Sequence, residues 1–151
     1  MRYVVIGGTF DNLHRGHEEF IRKAFEIGSK VLVCVTSDKM VKFKPLADKI
    51  EPYEKRKKNI IKFLKENGWA GRAEVLKIED PFTEGMRPGL TDIVVSAETR
   101  KNAERINFMR KGKGLKPLKI TEIKMVSAED GGPISDARIR KGEIDEKGNL
   151  L

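Results

Sequence analysis

The two histidines of this 151-residue chain, His14 and His17, stand three residues apart in the stretch "GGTFDNLHRGH". A short apolar run, "RYVVI", and the pair Gly7-Gly8 precede them. Glycine lets the backbone approach a ligand closely, and the unpaired N–H groups at a helix start bind anions. Two imidazoles at this spacing can lean toward one phosphate, where each can donate a hydrogen bond or carry positive charge. The stretch therefore predicts a phosphate site between a strand and a helix.

Other phosphate and metal motifs fit this stretch less well. It lacks the Gly-Lys-Ser/Thr ending of a P-loop and the spacing of G-x-G-x-x-G. Asp11, His14 and His17 have spacings that could ligate zinc, although the sequence offers no obvious fourth ligand. Two solvated surface histidines are a further alternative, which the flanking glycines disfavour. Both alternatives stay open from the sequence alone.

Hydrophobic periodicity predicts alternating strands and helices. Short apolar runs indicate strands, whereas apolar positions three and four residues apart, with glycine after them, indicate helices. Strands are predicted over residues 3–6, 31–36, 73–78, 92–96 and 118–126, and helices over 16–27, 53–67, 99–111 and a short final segment, "ISDARIRK". The segments "SDKMVKFKPLADKIEP" and "EDPFTEGMRPGL" are predicted to be loops.

This alternation predicts an α/β fold: a Rossmann-like, doubly wound parallel sheet of five strands with helices on both faces. In the order 3-2-1-4-5 the strand order reverses between the first and fourth strands, and ligands bind past the carboxyl ends at such a point. The stretches "GGTFDNLHRGH" and "SAETRK" would then open on one crevice. A single domain is expected over residues 1–151.

Charge and composition narrow the classes of partner. The net charge is +8, and 36% of the residues are charged, with both signs mixed along the chain. No basic stripe studded with aromatic residues appears, so no specific nucleic-acid partner is expected. No membrane association is expected either, because no apolar run reaches the roughly 20 residues of a membrane helix and no signal-peptide pattern is visible. A lone cysteine, Cys34 in a predicted core strand, favours a cytoplasmic location. Composition leaves the oligomeric state open, a monomer included.

The two ends of the chain resemble a known family. "GGTFDNLHRGH" is similar to the signature of the HxGH nucleotidyltransferase superfamily, with His14, Gly16 and His17 at the H-x-G-H positions. "ISDARIR", residues 134–140, resembles the second signature of that superfamily, I-S-S-T-x-I-R. The phrases "IEDPF", "DIVVSAET", "GLKPLKI" and "AEDGGPIS…RIRKGEID" resemble the archaeal and eukaryotic type of phosphopantetheine adenylyltransferases. The resemblance covers essentially the whole chain. It implies that ATP and 4′-phosphopantetheine react, with Mg²⁺, to give dephospho-coenzyme A and pyrophosphate.

The resemblance also implies roles for individual residues. His17 would stabilise the transition state at the α-phosphate, His14 would hold the triphosphate, and a lysine of the loop after the second strand would bridge the acceptor phosphate and the α-phosphate. The implied catalytic residues are His14, His17, Lys42, Lys44 and Arg140; the nucleotide-binding residues are Gly8, Thr9, Phe10, His17, Ser96, Glu98, Thr99, Ile134, Ser135 and Arg138; the acceptor-binding residues are Thr9, Asp11, Lys44 and Asp80. No protein ligand to a metal is implied. Which lysine acts stays open, and core packing of Phe10 or a turn cap at Asp80 are structural alternatives.

Departures from the family pattern leave other functions open. Bacterial relatives carry R-G-x-R after the fourth strand, where this chain has "SAETRK" and could use Arg100 instead. "SDA" replaces S-S-T in the second signature and brings Asp136 close to the expected phosphates. The enzymatic alternatives are an adenylyltransferase for FMN or nicotinamide mononucleotide and a cytidylyltransferase. A nucleotide-binding domain without turnover is the non-enzymatic alternative.

Overall fold

The computed structural model describes residues 1–124. Strands and helices alternate over this part of the chain. The strands are β1 (Tyr3–Gly8), β2 (Lys30–Thr36), β3 (Ala73–Ile78), β4 (Asp92–Val95) and β5 (Lys119–Glu122), and the helices are α1 (Arg15–Ile27), α2 (Asp38–Val41), α3 (Tyr53–Glu66) and α4 (Arg100–Gly112). Short 3₁₀ turns lie at Ala47–Lys49, Ala70–Arg72 and Thr83–Met86. None of the helices in residues 1–124 combines the length and apolar character needed to cross a membrane.

The five strands form one parallel sheet in the order β3-β2-β1-β4-β5, as the sequence predicted. β1 lies in the middle and pairs with β2 along its whole length, from Tyr3–Lys30 to Gly8–Val35. Its ladder with β4 covers Val4–Asp92 and Val5–Ile93. The strand order reverses between β1 and β4, which confirms the predicted switch point. At this point the β1–β4 ladder stops before the carboxyl ends of the two strands.

Helices cover both faces of the sheet, which confirms the doubly wound architecture. On one face α1 and α3 pack on alternate residues of β1 and β2, and their buried contacts include Ile21, Phe25 and Ile60. On the other face α4 packs through Ala103 and Ile106 on the remaining alternate residues of the strands. Strand side chains point alternately to the two faces, so strands apolar at every position are buried on both sides. Cys34 is one of these core residues, as predicted.

Some local predictions need correction. The segment after β2 is not loop throughout, because Asp38–Val41 forms a helical turn in which the Ser37 hydroxyl accepts the Met40 N–H. The segment predicted as a loop after β3 contains the 3₁₀ turn Thr83–Met86. In α3 the residue predicted to face inward, Ile61, is half-buried, and Phe63 is buried. These elements are single turns or face boundaries, where hydrophobic periodicity carries little information.

Candidate active site

The carboxyl ends of β1 and β4 open a crevice at the switch point. The β1–β4 ladder ends at Val5–Ile93, and the two strands continue to Gly8 and Val95 before each leads into its own loop. The loop after β1 ends at His14, the N-cap of α1. The loop after β4 begins at Ser96 and leads into α4. The structure therefore brings the two predicted stretches to the same edge of the sheet.

His14 and His17 cap the start of α1 by reciprocal hydrogen bonds. The His17 N–H donates to His14 Nδ1 at 3.2 Å, and the His14 N–H donates to His17 Nδ1 at 3.3 Å. The two rings stack with centroids 3.6 Å apart. Such a reciprocal pair is the geometry of a capping box, here made by two imidazoles. The H-x-G-H spacing thus orders the rings as well as the helix start.

This capping geometry fixes the tautomer of each neutral ring. A ring nitrogen that accepts a hydrogen bond carries no proton, so the proton of the neutral imidazole lies on the other nitrogen. Because Nδ1 of His14 and of His17 accepts a backbone N–H, the ring proton of each lies on Nε2. Each ring can therefore donate a hydrogen bond from Nε2 at the helix N-terminus, where anions also meet the helix dipole.

Phe10 joins the histidines to the core. Its side chain is 2% exposed, and its ring meets His17 edge to face with centroids 5.4 Å apart. Its backbone has a φ of 52°, and Asn12 has a φ of 47°, so the loop turns twice through the left-handed region. A Cβ on Gly8 would lie 3.3 Å from the Phe10 ring, which limits the size of the residue there. The structure thus gives Phe10 the core-packing role named as its alternative, and the nucleotide contact implied for it stays a prediction.

Thr9 and Lys44 meet at the same edge. Lys44 Nζ donates to Thr9 Oγ1 at 2.6 Å, and the Thr36 hydroxyl lies 3.1 Å from the same oxygen. Thr9 is buried, whereas Lys44 is exposed. The second candidate, Lys42, is also exposed and places its ammonium group 5.0 Å from the centroid of the Phe43 ring. Of the two lysines, Lys44 is the one that the structure joins to the loop after β1.

Asp11 lies fully buried behind the histidine loop. Its Oδ1 accepts the Glu51 N–H at 2.9 Å, and its Oδ2 accepts from the Asn12 side chain at 3.3 Å. The Glu51 carboxylate in turn accepts the Asn12 N–H at 2.8 Å. These bonds tie the loop after β1 to the residues that precede α3. The acceptor contact implied for Asp11 stays a prediction.

The residues after β4 form a small hydrogen-bonded turn. The Ser96 N–H donates to Thr99 Oγ1 at 3.1 Å, and the Thr99 N–H donates to the Ser96 carbonyl at 3.2 Å. Glu98, between them, is exposed. Arg100 forms ion pairs with Glu104 at 3.2 Å and Glu122 at 3.4 Å. The turn lies at the switch point as predicted, and its contacts with a nucleotide stay predictions.

Asp80 caps a turn away from the switch point, at the end of the edge strand β3. Its carboxylate accepts the Thr83 hydroxyl at 2.6 Å and the N–H groups of Phe82 and Thr83 at 2.8 Å each. Hydrogen bonds from the Thr83 side chain and backbone, and then from the Phe82 N–H, lower the pKa of this carboxyl. The structure therefore shows the turn cap named as its alternative. Contact with the acceptor stays a prediction.

The remaining predicted site residues lie outside the described residues, and so does the predicted final helix. They are Ile134, Ser135, Arg138 and Arg140, together with Asp136.

Sequence reasoning missed Arg56, a fully buried arginine that binds both loops. Its Nη1 donates to the carbonyls of Thr9 at 3.0 Å and Thr36 at 2.8 Å. The signal was present in the spacing, because Arg56 lies four residues before the inward-facing Ile60 and so shares its helix face. The surrounding run "EKRKKN" made it look like one of several surface charges.

Comparison with known proteins agrees with this geometry. Residues 5–142 match the family model of cytidylyltransferase-like proteins. The chain is 49% identical over 150 residues to a phosphopantetheine adenylyltransferase of Pyrococcus horikoshii, covering 98% of this chain and 94% of that protein. It is 47% identical over 152 residues to one of Thermococcus gammatolerans, covering 99% and 94% respectively. A solved structure of a protein with unknown function from Archaeoglobus fulgidus superposes with a TM-score of 0.73 at 27% identity, over 89% of this chain and 100% of that one.

Proposed function

Because the chain belongs to the cytidylyltransferase-like family, we propose that it transfers the adenylyl group of ATP to 4′-phosphopantetheine, giving dephospho-coenzyme A and pyrophosphate. One observation carries this proposal: near-full-length identity of 49% to a protein named phosphopantetheine adenylyltransferase. The stacked pair of His14 and His17 at the start of α1 supports it, since that is where this chemistry needs donors to phosphate.

The proposed reaction is a single in-line displacement. An oxygen of the acceptor phosphate attacks the α-phosphorus, the bond to the β-phosphate oxygen breaks, and pyrophosphate leaves with that electron pair. Negative charge spreads over the oxygens around the α-phosphorus in the transition state, so catalysis depends on positioning and charge stabilisation. No side chain needs to form a covalent intermediate.

The side chains at the carboxyl edge suit these tasks. Nε2–H donors on His14 and His17 and the N-terminal amides of α1 would stabilise charge on the triphosphate. Lys44, held at 2.6 Å from Thr9 Oγ1, would place a cation between the acceptor phosphate and the α-phosphate. The signature residues Arg140 and Ser135 belong to the proposal through the sequence resemblance alone.

Mg²⁺ enters this proposal as the counter-ion of the ATP substrate. Within residues 1–124 no three His, Cys, Asp or Glu side chains converge on a common point as metal ligands would. A triphosphate can bring its own Mg²⁺ with most of its water ligands retained, so the proposal assigns no protein ligand to the metal. A cytoplasmic location and one domain over the whole chain are also part of the proposal.

The test is pyrophosphate release with a panel of donors and acceptors. ATP with 4′-phosphopantetheine should support turnover far above ATP with FMN or nicotinamide mononucleotide, and far above CTP with 4′-phosphopantetheine. Mass spectrometry should identify dephospho-coenzyme A as the product, and reactions without acceptor measure background hydrolysis. Faster turnover with either nucleotide acceptor would reject the acceptor assignment and keep the family. Absence of turnover with every pair, while ATP still binds, would favour a nucleotide-binding domain.

A further inference from the structure

Arg56 places a guanidinium group inside the protein directly beneath the candidate site. It belongs to the first turns of α3, and its side chain is 0% exposed. A buried charge is strongly unfavourable unless it is paired and hydrogen-bonded. The partners of Arg56 therefore indicate what it does in the fold.

Four segments of the carboxyl edge converge on this one side chain. Nη1 donates to the carbonyls of Thr9 at 3.0 Å and Thr36 at 2.8 Å. Nε donates to the Glu51 carbonyl at 2.8 Å, and Nη2 pairs with Asp38 Oδ1 at 3.0 Å. The Arg56 guanidinium thus joins the loop after β1, the end of β2, the start of α2 and the segment before α3. Lysine cannot reproduce this planar fork of donors.

Thr9 links these bonds to Lys44. Lys44 donates to the hydroxyl of Thr9, the residue whose carbonyl Arg56 holds. We infer that Arg56 is a positioning residue for adenylyl transfer, which sets Thr9 against the end of β2 so that Lys44 is held over the reacting phosphates. The inference rests on the proposed function.

A second buried arginine offers a matched control. Arg110 in α4 is 2% exposed and also binds backbone carbonyls, of Lys116 at 2.7 Å, Gly85 at 2.9 Å and Arg87 at 3.1 Å. These partners precede β4 and β5, so they lie at the amino edge of the sheet, opposite the candidate site. Arg110 shares with Arg56 its burial and its bonds to backbone carbonyls. Arg56 also pairs with Asp38, and the two arginines organise opposite edges of the sheet.

The first experiment compares Arg56→Lys with Arg110→Lys. Both variants should lower the melting temperature, because each removes hydrogen bonds to buried carbonyls. At a temperature where both are folded, Arg56→Lys should lower kcat by about 10- to 100-fold, the scale of a misplaced reacting group. Its KM for ATP should stay within about 3-fold of wild type, and Arg110→Lys should keep the wild-type kcat.

A double-mutant cycle tests whether Arg56 affects kcat through Lys44. If Arg56 acts through Thr9 and Lys44, then Arg56→Lys should lower kcat much less in a Lys44→Ala background than in wild type. Asp38→Asn provides a second variant in case Arg56→Lys fails to fold, because the Asp38 side chain is 62% exposed and the amide oxygen can still accept from Arg56 Nη2 and from the Tyr53 N–H. It should lower kcat in the same direction, by about 3- to 10-fold, since it loosens one anchor of the fork.

A crystal structure of Arg56→Lys supplies a readout that needs no turnover. The distance from Lys44 Nζ to Thr9 Oγ1, 2.6 Å in the wild-type chain, should exceed hydrogen-bond range there and be kept in Arg110→Lys. Equal losses of kcat in both lysine variants, additive effects in the cycle, or an unchanged distance in Arg56→Lys would each overturn the inference. Failure of the wild-type chain to make dephospho-coenzyme A would instead reject the proposed function, and the measured distance would still decide whether Arg56 places Lys44.

Discussion

Replacing Lys44 by alanine should strongly lower kcat, and the same change at Lys42 should leave kcat almost unaltered. The two lysines flank Phe43 in one loop, and both are exposed. Lys44 reaches the hydroxyl of Thr9 at 2.6 Å, whereas Lys42 lies over the Phe43 ring at 5.0 Å. The two lysines therefore match in charge, in side-chain length and in their loop, and they differ in where their ammonium groups point.

The expected size of the effect follows from the charge that Lys44 would place beside phosphate. An ammonium group about 4 Å from one phosphate charge is worth about 4 kcal/mol at an effective dielectric constant of about 20. Because Lys44 is exposed, water screens part of this, and about 2–3 kcal/mol remains as a working value. That corresponds to roughly a 10²-fold loss in kcat, at about 1.36 kcal/mol for each factor of ten.

Steady-state kinetics with ATP and 4′-phosphopantetheine would measure both variants. Lys44→Ala should lose kcat by roughly 10²-fold, with a smaller change in the KM for ATP. Lys42→Ala should stay within about 2-fold of wild type, as expected of a solvated surface charge. Melting temperatures serve as the folding control, because neither lysine is part of the core.

Three kinetic results would contradict this prediction for Lys44. A silent Lys44→Ala variant would show that the bond to Thr9 has no part in turnover. Equal losses in both variants would mean that the loop acts through its total charge, independently of where each ammonium group points. An inactive Lys42→Ala with an active Lys44→Ala would require the loop to rearrange when substrates bind.

Three further predictions concern a histidine, an ion pair and the cysteine. His17→Ala should lower kcat by about 10²–10³-fold because an oriented donor is lost. In His17→Asn the carboxamide oxygen can still cap α1, so this variant should regain the melting temperature that His17→Ala loses and yet stay inactive. An active variant would show that His17 takes no part in the chemistry. Burial alone would raise the pKa of Asp92, but hydrogen bonds from Arg2 and Thr91 lower it overall. The stability it contributes is therefore present above the unfolded pKa of about 3.9 and lost as pH falls through the folded value. Urea titrations should show Asp92→Asn less stable than wild type by about 1–3 kcal/mol at pH 7, with a smaller gap near pH 3; a gap that does not change with pH would contradict this. Burial raises the pKa of Cys34 to about 12, so Ellman's reagent at pH 8 should label it only as the chain unfolds, and rapid labelling of the native protein would refute its core position.

The fold and the histidine pair could be predicted from the sequence because their determinants are local. Apolar runs such as "KVLVCVT" indicate strands buried on both faces, and apolar residues spaced three and four positions apart indicate helices. The sheet order then places the ends of β1 and β4 together by topology. His14 and His17 follow the strand so closely that no tertiary contact is needed to put them at the start of α1.

Local sequence patterns did not predict the single turns or the buried polar contacts. The choice between Lys42 and Lys44 depends on a loop that includes Leu46 at a φ of 55° and in which Lys44 bonds to Thr9, 35 positions away in the sequence. The same holds for Asp11, whose buried carboxylate accepts an N–H from a residue 40 positions away. No window of neighbouring residues contains both partners of such a bond.

For Arg56, the sequence predicts its helix and its buried face, whereas only the tertiary structure decides its hydrogen-bond partners. Its helix and its inward face follow from the sequence, since it lies one turn before Ile60. Its partners do not, because the carbonyls of Thr9 and Thr36 reach it only after β1 and β2 have paired and α3 has packed across them. Periodicity determines which side of a helix is buried, whereas the position of a guanidinium group against particular carbonyls depends on strands and helices that meet only in the folded chain.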